Sequence, residues 1–209
     1  MNNLQKNSLL LIAFLLLFNN LTLQAETTLK SDPEKDKILV YVLKNILTRG
    51  HFVVKDMNDD FSEKVYKSFI EGLDPSKRYF TQDDLKEFSK YKYEIDNQLL
   101  KDDVSFYNLV YNRFLEKTAN AKSYYGEILK QPFNFNEKET IDIDYDKVPF
   151  AKNENKLVDY WRKQLKLNTL SRIQSELEKQ EEKLKKDKKY KKKSFKTLEK
   201  EARKEVLFK

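Results

Sequence analysis

Apolar residues return every fourth position along most of this chain, and little interrupts them, since 209 residues contain only three glycines and four prolines. A return every four positions puts side chains on one face of a helix, whereas a half-buried strand would alternate every two. Few chain breakers, with 36% charged and 13% aromatic residues, favour long amphipathic helices over sheet. The pattern predicts a mainly α, multi-helix domain. The absence of cysteine excludes a disulfide-stapled domain and an acylated lipoprotein, so stability must come from an ordinary core.

The segments are read one by one. Ser31-Asp32-Pro33 predicts a capped helix start, and Ile38, Val42 and Ile46 carry the stripe to Gly50. Phe61, Val65 and Phe69 predict a second helix, with Gly72 placed as its C-terminal cap. Leu73-Asp74-Pro75-Ser76-Lys77 predicts a turn, in which proline presets the backbone and Asp74 can accept from the amides ahead of it. Thr81 with Asp84 in the capping-box position opens a third helix whose stripe is Leu85, Phe88, Ile95 and Leu99. Asp102-Asp103 opens a fourth, with Val110, Phe114, Ala121, Tyr125 and Ile128 on one side and Gln131-Pro132 at its end. Residues 133–153 lose the rhythm, and the alternation in Ile141–Tyr145 predicts a short strand or an extended arm. Asn153 or Asn155 caps a long fifth helix bearing Leu157, Trp161, Leu165, Ile173, Leu177 and Leu184. The basic run Lys185–Lys193 reads as a solvated loop or exposed helix end, and Ser194 caps a last helix with Leu198, Ala202 and Val206. That pattern is still running at Phe208-Lys209, which reads as a chain cut short.

The first residues are not part of this fold. Lys6 precedes the apolar run Leu9–Phe18, and Ala25 suits a cleavage site, which is the layout of a secretory signal peptide over residues 1–25. A bilayer span needs about 20 apolar residues, so a retained anchor is the lesser alternative and no integral membrane segment is expected after cleavage. Removing the leader takes one charge, Lys6, and lowers the net charge from +7 to +6.

The sequence offers little chemistry. One histidine, His51, and no cysteine remove the usual zinc sites and Cys/His pairs, and Gly50-His51-Phe52 reads as a helix exit. Asp142, Asp144 and Asp146 begin like a calcium loop, but Lys147 stands where glycine is needed and Asn153 where the bidentate glutamate belongs. No Gly-x-Ser-x-Gly elbow or phosphate loop occurs. The expectation is no catalytic residue, no metal and no cofactor. Lys189, Lys191 and Lys192 belong to a basic run able to meet a polyanion, but the export signal disfavours nucleic acid and leaves a solvated loop or an envelope contact. Trp161 reads as a core anchor rather than a ligand platform.

Three segments carry a likeness to a known family. Gly72-Leu73-Asp74-Pro75-Ser76-Lys77-Arg78-Tyr79-Phe80, followed by Asp83-Asp84, is similar to a turn that precedes a helix in the periplasmic tail-specific proteases, the carboxy-terminal processing peptidases. Tyr145-Asp146, leading through Pro149 to Trp161-Arg162-Lys163, is similar to that family's arm and following helix. Leu198-Glu199-Lys200-Glu201-Ala202-Arg203 resembles the helix before the family's PDZ module. The resemblance, running from about Lys35 onward, implies an N-terminal helical domain that scaffolds a serine protease of the Gram-negative periplasm. In that family the PDZ module grips an apolar C-terminus and a serine with a lysine base cuts the chain. Neither part occurs in these residues, so no peptidase activity is expected of them.

The resulting expectation is a leader at 1–25, a helical domain at 26–193, and at 194–209 the start of a helix leading toward a PDZ module. Its partners would be the PDZ and protease modules of a parent enzyme. The alternative is a stand-alone exported binding module that recruits an envelope protein through its basic or apolar surface. Candidate interaction or structural residues are Asp74, Pro75, Tyr79, Phe80, Trp161, Arg162, Lys189, Lys191 and Lys192.

Overall fold

The computed structural model describes residues 33–50 and 56–207; the leader, the Ser31-Asp32 cap, His51 and Phe208-Lys209 lie outside them. Among the described residues there are seven α-helices and no strand. Helix α1 is Pro33–Asn45 and runs on as a π-helical turn over Ile46–Gly50. Helix α2 is Asp59–Leu73, α3 Gln82–Phe88, α4 Ile95–Leu100, α5 Ser105–Ile128, α6 Glu154–Lys186 and α7 Phe195–Leu207.

Helix starts follow local chemistry. The Asn58 side chain accepts from the Phe61 amide at the head of α2, and Asn153, rather than Asn155, accepts from the Lys156 amide at the head of α6. Each contact satisfies one of the amides that a helix start leaves unpaired. At α3 Thr81 and Asp84 exchange both bonds of a capping box. Ser194 Oγ accepts from the Thr197 amide at the head of α7. Helix α5 departs from the expected start at Asp102-Asp103: it begins at Ser105, whose amide and hydroxyl both donate to the Asp103 carboxylate.

Two further expectations are corrected. Gly72 does not cap α2, which continues through Leu73 to a C-cap at Asp74. The third segment is not one helix either; α3 stops at Phe88, a 3-10 turn covers Ser89–Tyr91, and α4 restarts at Ile95. A buried cross-link explains the break. Ser62 Oγ of α2 donates to the Asp96 carboxylate (2.7 Å) and accepts from the Asp96 amide (2.9 Å). An uninterrupted helix would direct that amide to the carbonyl four residues back.

Burial is organised in three clusters joined by two shared helices. The first combines Ile70 of α2 with Phe80, Phe88 of α3, Ile95 of α4, and Phe106 and Val110 of α5. Ala121, three turns along α5 from Val110, belongs instead to the second, with Leu157 and Trp161 of α6. Farther along α6, Ile173 meets Leu198 and Ala202 of α7, with Phe135 against them. Phe80 and Phe88 are wholly enclosed and pack edge to face at 5.3 Å between ring centroids; burying each contributes about 2–3 kcal/mol.

Between α5 and α6 the chain forms the extended arm, without a strand at Ile141–Tyr145. It is fastened along its length. The Phe133 amide donates to Glu199 of α7 (3.2 Å), and the Phe135 ring meets Phe195 edge to face. Glu139 accepts from Arg162 and from Lys166 (2.5 Å) of α6. At the far end the Gln82 amide donates to Ala151 (2.8 Å), beside an isolated parallel bridge between Thr81 and Ala151.

Hydrogen bonds from Arg162, then Lys166, hold the Glu139 carboxyl well below its ordinary 4.5, at about 2. A carboxyl depressed on folding contributes stability that is present above pH 4.5 and lost as pH falls toward 2. Acidification through that window should therefore lower the amide protection factors of residues 137–144, measured against the intrinsic exchange rate at each pH, before α6 opens. Glu139→Gln should give the lowered protection at neutral pH and flatten the pH response, and a pH response unchanged by Glu139→Gln would refute the assignment.

Candidate interaction site at the Asp74 turn

The turn after α2 is organised by one carboxylate. Asp74 is almost fully buried, and its Oδ1 accepts from the Arg78 amide (2.7 Å) while Oδ2 accepts from the Tyr79 and Phe80 amides (both 2.9 Å). Three consecutive N–H groups stand in for water around the buried charge. Burial pushes the Asp74 carboxyl above its usual value, and the three amides together with the Arg78 charge work against that push. Pro75 occupies the second position of the turn closed by the Lys77 amide on the Asp74 carbonyl (3.1 Å), where a preset φ suits it. Lys77 lies in the left-handed region at φ 51°, an unfavourable place for a residue with a Cβ. Its side chain compensates: Nζ donates to the Val148 carbonyl (2.6 Å) and so ties the arm to the turn.

Tyr79 and Phe80 leave the turn in different directions. Phe80 enters the first cluster, whereas Tyr79 reaches the second, edge-on to Phe114 (5.2 Å) and to Trp161 (6.0 Å). Trp161 closes the loop by donating from Nε1 to the Arg78 carbonyl (2.9 Å). The Arg78 guanidinium lies over its ring at 5.5 Å, and Tyr125 packs against it at 5.0 Å. Asp74, Pro75, Tyr79, Phe80 and Trp161 are thus gathered in one place. Arg162, next to Trp161 in sequence, serves another purpose by joining Glu139 of the arm to Asp159. Lys189, Lys191 and Lys192 are exposed in the loop between α6 and α7. Lys189 is 28 residues beyond Trp161, well over 30 Å at the helical rise. Lys192 pairs there with Glu181, and the Lys189 amide donates to Asp187.

Three groups escape a reading by sequence. Asp84, besides capping α3, receives Arg113 and Lys117 (3.3 Å) from α5, and Lys117 continues to Glu154 (2.6 Å) at the head of α6. The Thr81 hydroxyl and amide, then Arg113 and Lys117, outweigh burial and hold the Asp84 carboxyl down. The four-residue spacing of Arg113 and Lys117 was the available signal. Glu199 and Arg203, also four apart, pair at 2.6 Å, and Arg203 donates to the Leu129 carbonyl (2.6 Å). Glu139 had no signal, because its partners lie 23 and 27 residues away.

A groove of about 640 Å³ opens beside the turn. Arg78, Tyr79, Tyr125 and Trp161 line one end, and the wall continues along α6 to Ser175 and the last residues of α7. Substituting Asp74 by Ala strands three amides in a dry site and should cost about 3 kcal/mol or more. Asp74→Asn keeps one acceptor and should cost clearly less. Trp161→Phe removes one hydrogen bond and part of a ring contact, for about 1–2 kcal/mol. Urea unfolding of the three variants should rank them in that order for the two Asp74 changes, and equal midpoints for Asp74→Ala and wild type would exclude the carboxylate as the organiser.

The tail-specific protease of Haemophilus influenzae is 31% identical over 117 residues, a stretch that takes in 54% of this chain and 17% of that protein. The model of the tail specific protease N-terminal domain matches residues 42–207, which span every helix described above except the start of α1. On that match the chain belongs to the family of tail specific protease N-terminal domains.

Proposed function

We propose that these residues form the noncatalytic helical scaffold of an exported, periplasmic tail-specific serine protease that degrades proteins from recognised C-termini, with peptide-end capture and cleavage assigned to PDZ and protease modules elsewhere in the parent enzyme. The family match over residues 42–207 is the observation that carries this reading. In this reading residues 1–25 are a cleaved leader, 26–193 the helical domain, and 194–209 the helix leading toward the PDZ module. Among the described residues no helix is long and apolar enough to cross a membrane.

The lysine chemistry supports the noncatalytic part. A lysine acting as base toward serine must be brought below its usual pKa by burial. At Lys117, one of the better enclosed lysines, burial pulls down, but the hydrogen bond it donates to Glu154 and the charge of Asp84 prevail and raise it. Such an amine stays protonated.

The exterior of α1 supports the scaffold part. Ile38, Tyr41, Val42 and Ile46 are each about half exposed or more, so the stripe that the spacing predicted as core faces outward. Leu39, Leu43 and Leu47 of the same helix line a cavity of about 590 Å³ against α2, α4 and α5. A helix apolar on most sides is suited to burial on more than one, and in this reading another module of the enzyme covers the outer face.

Two outcomes follow. Purified protein should leave an unfolded substrate with an apolar C-terminus intact over hours, and serine-dependent cleavage by homogeneous material would overturn the noncatalytic role. The protein should also self-associate at tens of micromolar, and Ile38→Gln with Val42→Gln should shift sedimentation toward monomer. Monodisperse wild-type monomer at those concentrations would count against a covered α1 face.

A further inference from the structure

Arg78 differs from the other buried or half-buried arginines. Arg113, Arg162 and Arg203 each hold at least one carboxylate, whereas the Arg78 Nε is buried with no hydrogen-bond partner and its guanidinium rests on the face of Trp161. The nearby Asp74 carboxylate is already taken by three backbone amides. Leaving a guanidinium N–H unsatisfied is costly, and a carboxylate is the natural partner for the part of Arg78 that lines the groove beside the turn.

The groove around it has a definite chemistry. Among the described residues its lining includes two arginines, Arg78 and Arg172, and no acidic residue; Arg172 pairs with Glu205 of α7. Trp161, Tyr79 and Tyr125 supply an aromatic wall near Arg78, while Asn168, Ser171 and Ser175 present amide and hydroxyl groups farther along α6. From Trp161 to Ser175 the wall runs about 21 Å at 1.5 Å per residue, the length of about six extended residues at 3.3 Å each. A cation without a salt bridge among the described residues, an aromatic surface and a row of hydrogen-bonding side chains complement an extended, acidic and apolar polypeptide.

We propose that this groove binds an extended peptide segment of a partner protein, with an internal Asp or Glu side chain paired to Arg78 and a flanking apolar side chain on Trp161. The carboxylate forms a two-pronged contact with the guanidinium, the aromatic wall buries its neighbour, and Asn168, Ser171 and Ser175 meet the peptide backbone. This inference is independent of the parent enzyme's chemistry, since it uses only the walls of the groove.

Trp161 is the only tryptophan in the chain, so its emission reports occupancy directly. The purified protein is titrated with three hexapeptides of leucine and alanine: one with a central Glu and both ends blocked, the same peptide with Gln for Glu, and the Gln peptide with a free C-terminal carboxylate. The blocked Glu peptide should change Trp161 emission saturably, and the blocked Gln peptide should bind about tenfold more weakly or worse. Against Arg78→Gln protein of unchanged helix content the two blocked peptides should bind alike. Equal affinity of the blocked Glu and Gln peptides for wild-type protein would overturn the proposal without reliance on any protein variant. So would absence of saturation, or tighter binding of the peptide with the free terminus, which would make the groove a reader of chain ends instead.

Discussion

The buried carboxylate of Asp74 is the constraint on which much of this architecture depends. Shielded from water, it must find donors, and it finds them in the amides of Arg78, Tyr79 and Phe80. Meeting that demand sets the path of the backbone after α2. The path in turn sends Phe80 into one hydrophobic cluster and Tyr79 into the next, and offers the Arg78 carbonyl to Trp161 on a helix 83 residues away. Local electrostatics thus determines which long-range contacts are available.

Elements set by nearest neighbours were legible in the sequence. The capping box of Thr81 and Asp84, the cap at Asn153, the turn at Asp74-Pro75 and the four-residue stripes of α2, α5, α6 and α7 all depend on groups within a few positions of one another. What escaped is what the distant chain decides. The helix expected to carry both Phe88 and Ile95 is divided because Ser62, on another helix, takes the Asp96 amide. The α1 stripe has a faultless period, yet periodicity states that a face is apolar and not what lies against it. Gly72 sits two residues too early to cap because Asp74, not glycine, completes the end of α2.

The site shows the same division. Asp74, Tyr79, Phe80 and Trp161 were recognisable as a set because the turn and the tryptophan helix each have a local signature. Their convergence was not, and neither was the role of Arg78, whose neighbours are aromatic rings brought in from α5 and α6. The basic loop at 188–193 was conspicuous in composition, but it lies far from the turn and two of its charges are matched, Lys192 by Glu181 and Lys193 by Glu201.

Because hydrophobic packing is distributed over three clusters, with α5 common to the first two and α6 to the last two, the domain has no single centre whose loss would dissolve everything at once. Each shared helix acts as a hinge pin between neighbouring cooperative units. The end built from α7 and the distal part of α6 therefore has a hydrophobic cluster of its own, and it is polar contacts, Arg203 on the Leu129 carbonyl and Glu199 on the Phe133 amide, that fasten it to the end of α5 and the start of the arm.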